Sequence, residues 1–85
     1  MFLSTKNFRK VLLMELKPIS CRIPEHLDRL RQTQQWLSDR SGIPKQQLND
    51  YIKMRHIMGI VVAKKIADAL RVPIDDLYAW KRQLE

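Results

Sequence analysis

Apolar side chains recur along this chain at more than one spacing, and the spacing changes mark out its elements. Met1 to Leu16 mixes Phe2, Leu3, Phe8, Val11, Leu12, Leu13 and Leu16 with Lys6, Arg9 and Lys10, and no apolar run there reaches half a bilayer span. From Lys17 to Ile23 apolar and polar residues alternate, with Ile19, Cys21 and Ile23 on one side. That is the pattern of a short strand, unstable alone. Pro24 then suits a first helical position, and Leu27, Leu30 and Trp36-Leu37 continue an apolar stripe, so a first helix is predicted over 24–32.

Thr33 can cap a second helix whose inner face carries Leu37, Ser38 and Ser41. Gly42 can take the left-handed conformation that ends it, Ile43 drops into the core and Pro44 starts a third helix over 44–53. On that helix Lys45, Gln46, Asn49, Asp50 and Lys53 share one arc while Leu48 and Tyr51 point away. A fourth helix follows, roughly Ile60 to Leu70. Ile60, Ala63, Ile66, Ala67 and Leu70 fall in an arc of about 120 degrees, leaving Lys64, Lys65 and Asp68 to solvent. Val72 reads as a core plug, and Pro73 with Asp75 and Asp76 marks the start of a last helix carrying Leu77, Tyr78 and Trp80. The expected fold is therefore all-α, a compact bundle of about five short helices with a helix-turn-helix at 33–53. It divides into an N-terminal arm, 1–17, able to form a short β-strand, and a helix-turn-helix domain, 18–85.

Two short helices hinged at Gly42, the second rich in polar donors, form the helix-turn-helix pattern and point to duplex DNA. Composition narrows the alternatives. A chain of 85 residues has room for one modest core, which argues against a large enzyme cleft. Sixteen Lys plus Arg against nine Asp plus Glu give a net charge of +7, suited to a polyanionic partner, although many basic surfaces are only solvated faces. The single Cys21 cannot form an internal disulfide and no Cys or His pair has zinc-ligand spacing, so no metal and no cofactor is expected and a reducing cytoplasm fits. A secretory signal would put charge before its apolar stretch and a small-residue cleavage site after it, whereas Pro18 and Cys21-Arg22 follow Leu16. Export and membrane residence are therefore not expected. Met14 is a second possible start, leaving the first thirteen residues readable as a natural arm or an upstream extension.

Leu27 to Trp80, about two thirds of the chain, resembles the lambda-repressor and Cro family, the Xre-type helix-turn-helix. The matching residues are Thr33-Gln34, Leu37 and Ser38, Gly42-Ile43, Leu48 and Tyr51, and above all the closing run Ile66-Ala67-Asp68-Ala69-Leu70-Arg71-Val72-Pro73-Ile74-Asp75-Asp76-Leu77-Tyr78. The chain departs from the family pattern at Ile52 and Met54, where an acid and a glycine are usual, and at Pro44 and Pro73, where Ser or Thr usually caps. The resemblance implies a transcriptional regulator, a repressor, whose third helix enters the major groove with its N-terminal residues at base edges. On that basis Lys45 would donate to guanine, Gln46 and Asn49 would pair bidentately with adenine, and Asp50 would accept from cytosine. Thr33, Gln34, Gln47, Lys53, Arg55 and His56 would meet the phosphates, Gln34 also steadying Lys45. Without the resemblance, Gln34, Gln35, Gln46 and Gln47 read as good helix formers on a wet face.

One short helix reads few base pairs, so a homodimer on two half-sites is expected. Candidate surfaces are the C-terminal helix, with Ile74, Tyr78 and Trp80, and the strand with Ile19 and Cys21, paired antiparallel across a dimer axis. Residues 18–50 also resemble a ribbon-helix-helix repressor, which would read DNA through Ser20 and Arg22, merge the first two helices and leave 60–80 unexplained. A reading of another class is a protein-interaction module, an antitoxin or anti-repressor with a protein partner, motivated by Trp36, Trp80 and the apolar arm. Trp36 could pack on the arm or mark a partner surface. An enzyme is disfavoured: His26 and His56 read as surface residues, and Ser20, Cys21 and His26 lack an orienting partner and a pocket, so no catalytic residue is assigned.

Overall fold

A computed structural model describes residues 16–82; the apolar positions of the arm before Leu16 lie outside the described residues. The order is β1 (Leu16–Cys21), α1 (Ile23–Leu30), α2 (Gln34–Ser41), α3 (Lys45–Ile52), α4 (Ile60–Leu70), a 3-10 turn (Ile74–Leu77) and β2 (Tyr78–Arg82). Four α-helices and a two-stranded sheet thus replace the expected bundle of about five helices. The C-terminal helix is the error. Its first turn does form behind Pro73, but as a 3-10 turn, and at Tyr78 the backbone becomes extended, with φ −132° and ψ 151°. Tyr and Trp suit a strand, and the partner that draws them into one is distant: β1 and β2 pair antiparallel, Cys21 opposite Tyr78 and Leu16 opposite Arg82.

The register slips between Pro18 and Ser20, so Ile19 is an extra residue with no partner on β2. Proline has no N–H to give a ladder, and a bulge is where it is tolerated. The slip breaks the expected alternation. Ile19 turns outward, Cys21 stays half-buried against the core, and Ile23 is fully buried as the first residue of α1. The ribbon-helix-helix arrangement is likewise not the one formed: β1 takes its partner from the same chain, Arg31 to Thr33 separate α1 from α2, and Arg22 is tied to Glu25 and to the Leu77 carbonyl.

α1 ends at Leu30, not 32, and α4 at Leu70, and both close in the same way. The N–H groups of Arg31 and Gln32 bond the carbonyls of Asp28 and Leu27, and those of Arg71 and Val72 bond Asp68 and Ala67. This is the Schellman closure, with arginine in the left-handed position that glycine usually takes. Between these ends α2 packs on α4 and α3, the 3-10 turn on α4, and α3 against β1. Ile23, Leu37, Leu48, Ile66, Leu70 and Leu77 are fully buried, each worth roughly 1.5 to 3 kcal/mol. The α4 stripe is core at Ala63, Ile66, Ala67 and Leu70, but Ile60, at the first position of the helix, overshoots its neighbours and is exposed, and Val72 is only half-buried.

His26, expected at the surface, is buried. Its Nε2 lies 2.7 Å from the Asp76 carbonyl and its Nδ1 3.3 Å from Arg29. A guanidinium only donates and a carbonyl only accepts, so Nδ1 accepts and Nε2 carries the proton. The ring therefore clips α1 to the 3-10 turn. Trp36 is half-buried at the edge of the core, with the Arg40 guanidinium 5.4 Å from its ring centroid.

Candidate nucleic-acid interface

The segment from Thr33 to Ile52 builds a surface whose shape is set by how its backbone groups are satisfied. Thr33 adopts an extended conformation and its hydroxyl accepts from the Trp36 N–H at 3.1 Å, fixing the start of α2. Gly42, with φ 78°, ends that helix and donates to the Ser38 carbonyl. The turn is then closed by two serines. Ser38 donates through Oγ to the Ile43 carbonyl at 2.7 Å, and Ser41 Oγ accepts from the Ile43 N–H at 3.2 Å while donating to the Leu37 carbonyl. With its N–H and C=O both satisfied, Ile43 can bury its side chain. Pro44 follows with φ −56° and leads into α3 without a side-chain cap.

On α3, Leu48 and Tyr51 face the core, Lys45 and Gln46 are exposed, and Asn49 and Asp50 are half-buried. Gln47 is half-buried too, and its amide donates to the Tyr51 hydroxyl at 2.7 Å, so it is held against its own helix. Lys53 caps α3 and is exposed. Met54 then takes φ 62°, a left-handed conformation, and α3 stops at Ile52.

Two residues expected to have separate roles are joined. Arg55 Nη1 lies 3.0 Å from Asp50 Oδ1, and the Arg55 N–H bonds the Asp50 carbonyl at 2.8 Å. A separation of five residues across a helix end is not one of the helix-face pairings readable from sequence, so the pair was not foreseen. The Gln47–Tyr51 bond, at four residues, follows the helical repeat, although the sequence reading placed Gln47 only at the phosphates. Gln34 is half-buried, while Thr33, Arg55 and His56 are exposed. The fold thus gathers Lys45, Gln46, Asn49, Asp50, Lys53 and Arg55 on one short helix and its exit.

Of the dimer candidates, Tyr78 is buried. Its hydroxyl accepts from the Met58 N–H at 3.1 Å, and desolvation by burial pushes its pKa above the usual tyrosine value despite that bond. Burial likewise pushes the Cys21 thiol up, outweighing the backbone bond from Ile23, so at neutral pH it is a protonated thiol packed against the core. β1 has one edge occupied by β2. Ile19 and Trp80 remain exposed, and Ile74 is half-buried. Among the described residues no group of three or more His, Cys, Asp or Glu side chains converges, and no helix is long and apolar enough to cross a membrane.

A family model described as helix-turn-helix matches residues 27–77, from α1 to the 3-10 turn. The chain is 44% identical over 62 residues to the SPbeta prophage-derived uncharacterized HTH-type transcriptional regulator YopS of Bacillus subtilis (strain 168), covering 72% of this chain and 84% of that protein. It is 33% identical over 73 residues to the SPbeta prophage-derived uncharacterized HTH-type transcriptional regulator YotL of the same strain, covering 80% of this chain and 91% of the relative. No solved structure matches the chain.

Proposed function

The chain belongs to the Xre-type helix-turn-helix family of DNA-binding transcriptional regulators, and from that premise we propose that it is a repressor reading the major groove as a homodimer through α3. The observation that carries this reading is the two-sidedness of α3. Leu48 and Tyr51 anchor the helix, while Lys45 and Gln46 at its start are exposed. That is the end from which base edges are reached when such a helix lies in the groove.

Lys45 donates to guanine O6 and N7, and Gln46 and Asn49 pair with adenine N6 and N7. Asp50, held by Arg55, accepts from a cytosine amino group. Thr33, Gln34, Gln47, Lys53, Arg55 and His56 border the phosphates and set register. Two copies with two-fold symmetry read half-sites about one turn of DNA apart. Occupancy of the duplex is itself enough to block another protein, and repression needs nothing more.

The test is selection of bound sequences from a random duplex pool. A palindromic motif is the expected outcome, and Gln46→Ala and Asn49→Ala should each relax the preference at one position by about 1 to 3 kcal/mol. A preference untouched by either change would reject α3 as the reader.

A further inference from the structure

Lys17 and Lys81 stand directly opposite each other on β1 and β2, and both are exposed. Cross-strand partners share a face, so the two ammonium groups project from one side of the ribbon, where like charges at this spacing destabilise the pairing. No acid in the ribbon cancels them. The strands Leu16–Cys21 and Tyr78–Arg82 contain neither Asp nor Glu, and neither lysine is in an ion pair among the described residues. Ser20 opposite Ala79 continues the same face, whereas Pro18, Tyr78 and Trp80 belong to the other. A lysine can guard an exposed strand edge against another sheet, but that purpose does not require two of them to be opposed.

We propose that this cationic face of the ribbon is a second contact for duplex DNA, with Lys17 and Lys81 straddling a backbone phosphate beside the bases that α3 reads. The fold ties the ribbon to that helix twice. α3 packs against β1, and the segment leaving α3 passes through Lys53, Arg55 and His56, all exposed, to Met58, whose N–H donates to the Tyr78 hydroxyl at 3.1 Å. Tyr78 is the first residue of β2, so the ribbon joins the fold at the exit of α3, and Lys81 lies about 10 Å farther along the strand.

Charge selects the occupant. A phosphate between the two ammonium groups offsets their repulsion with two attractions, so the opposed pair favours an anion more than two separated lysines do. The contact is blind to sequence, because an ammonium group on a phosphate adds affinity and register but reads no base. The proposal rests on the DNA reading for its ligand, and adds to it a surface outside the helix-turn-helix, in two strands to which no phosphate contact is assigned above.

Substitutions in the full chain, read by duplex affinity and by urea unfolding, test it. Lys81→Glu puts an acid opposite Lys17 and relieves the repulsion, so its unfolding midpoint should be at or above that of the parent. Its affinity for the selected duplex should nevertheless fall by about tenfold or more. The Lys17→Ala, Lys81→Ala double variant should lower the log–log slope of affinity against salt by about 1 per copy and select the same sequence as the parent. Ethylation of single phosphates should weaken the parent at a position that no longer matters to the double variant. Unchanged affinity and slope overturn the proposal, as does an equal loss from Lys65→Ala, an exposed cation on α4, which would mean diffuse attraction. A lowered unfolding midpoint in Lys81→Glu overturns it too, because the opposed lysines would then serve the ribbon itself. The two readings fail separately: a base preference untouched by Gln46→Ala and Asn49→Ala rejects α3 as the reader whatever the lysines do, and a slope indifferent to the lysines rejects the ribbon while leaving α3 its bases.

Discussion

Arg31 and Arg71 occupy φ 58° and 60° at the ends of α1 and α4, where an L side chain is strained and glycine is not. Both are exposed, so replacing them removes little packing. Relief of left-handed strain, about 1 to 2 kcal/mol, outweighs the greater freedom glycine has in the unfolded chain. Arg71→Gly should therefore raise stability by about 0.5 to 1 kcal/mol in a urea titration; an unchanged or lower midpoint would show that the arginine side chain contributes more than its backbone costs. Met54, at φ 62°, is a less clean site because it is half-buried against the core. A second prediction concerns Asp50 and Arg55. Their ion pair means that Arg55→Ala does two things at a duplex: it removes a cation and it leaves the Asp50 carboxylate without its counter-charge beside a polyanion. On random duplex, where Asp50 reads no base, Arg55→Ala should weaken binding by more than the loss of one phosphate contact, and adding Asp50→Asn should recover part of the loss. A double-mutant cycle on duplex affinity measures this, and strict additivity would mean that the pair opens on binding.

At the scale of elements, what was legible in the sequence divides according to where the instruction lies. The α2–turn–α3 unit is written locally: Thr33 caps, Gly42 supplies the left-handed residue and Pro44 sets the entry to α3, all within one short stretch. The ends of α1 and α4 carry no such residue, since arginine does not announce φ near 60°, and they became visible only through their paired backbone bonds. The last strand could not be read at all. Pro73, Asp75 and Asp76 do start a helical turn, but Tyr78 to Arg82 is decided by β1, whose residues lie about sixty positions earlier in the chain. Two further links tie the ends of the fold together: the Arg22 N–H bonds the Leu77 carbonyl at 2.8 Å, and His26 bonds that of Asp76. The second link is testable by mutation. His26→Ala leaves a cavity beside α1 and takes away the partner of the Asp76 carbonyl, and should cost about 2 to 4 kcal/mol, read as a lowered unfolding midpoint. His26→Gln, which can keep a donor, should cost less; equal losses would mean that packing, and not the bond, is what the ring contributes.

For the whole molecule the governing quantity is charge, and its effect on binding depends on where the cations sit. The chain carries +7 overall, yet exposed basic residues also lie outside α3: Lys64 and Lys65 on α4, Arg31 and Arg71 at helix ends, Lys17 opposite Lys81 in the sheet. Net charge alone would draw this protein to any polyanion, and that attraction would not distinguish a regulator from a basic surface. Geometry makes the difference quantitative. If each copy brings about four phosphate contacts from α3 and its flanks, a dimer neutralises roughly eight, and counterion release then gives a log–log slope of affinity against salt of about −7. The Lys53→Ala variant should reduce that slope by about 2, one phosphate from each copy, while leaving the selected sequence unchanged, because a phosphate contact adds affinity without reading a base. Lys64→Ala, a change on the outer face of α4, should leave the slope where it was. Equal effects from the two substitutions would mean that the duplex meets the molecule as diffuse positive charge, and a dependence close to flat would favour a protein partner as the ligand of this fold.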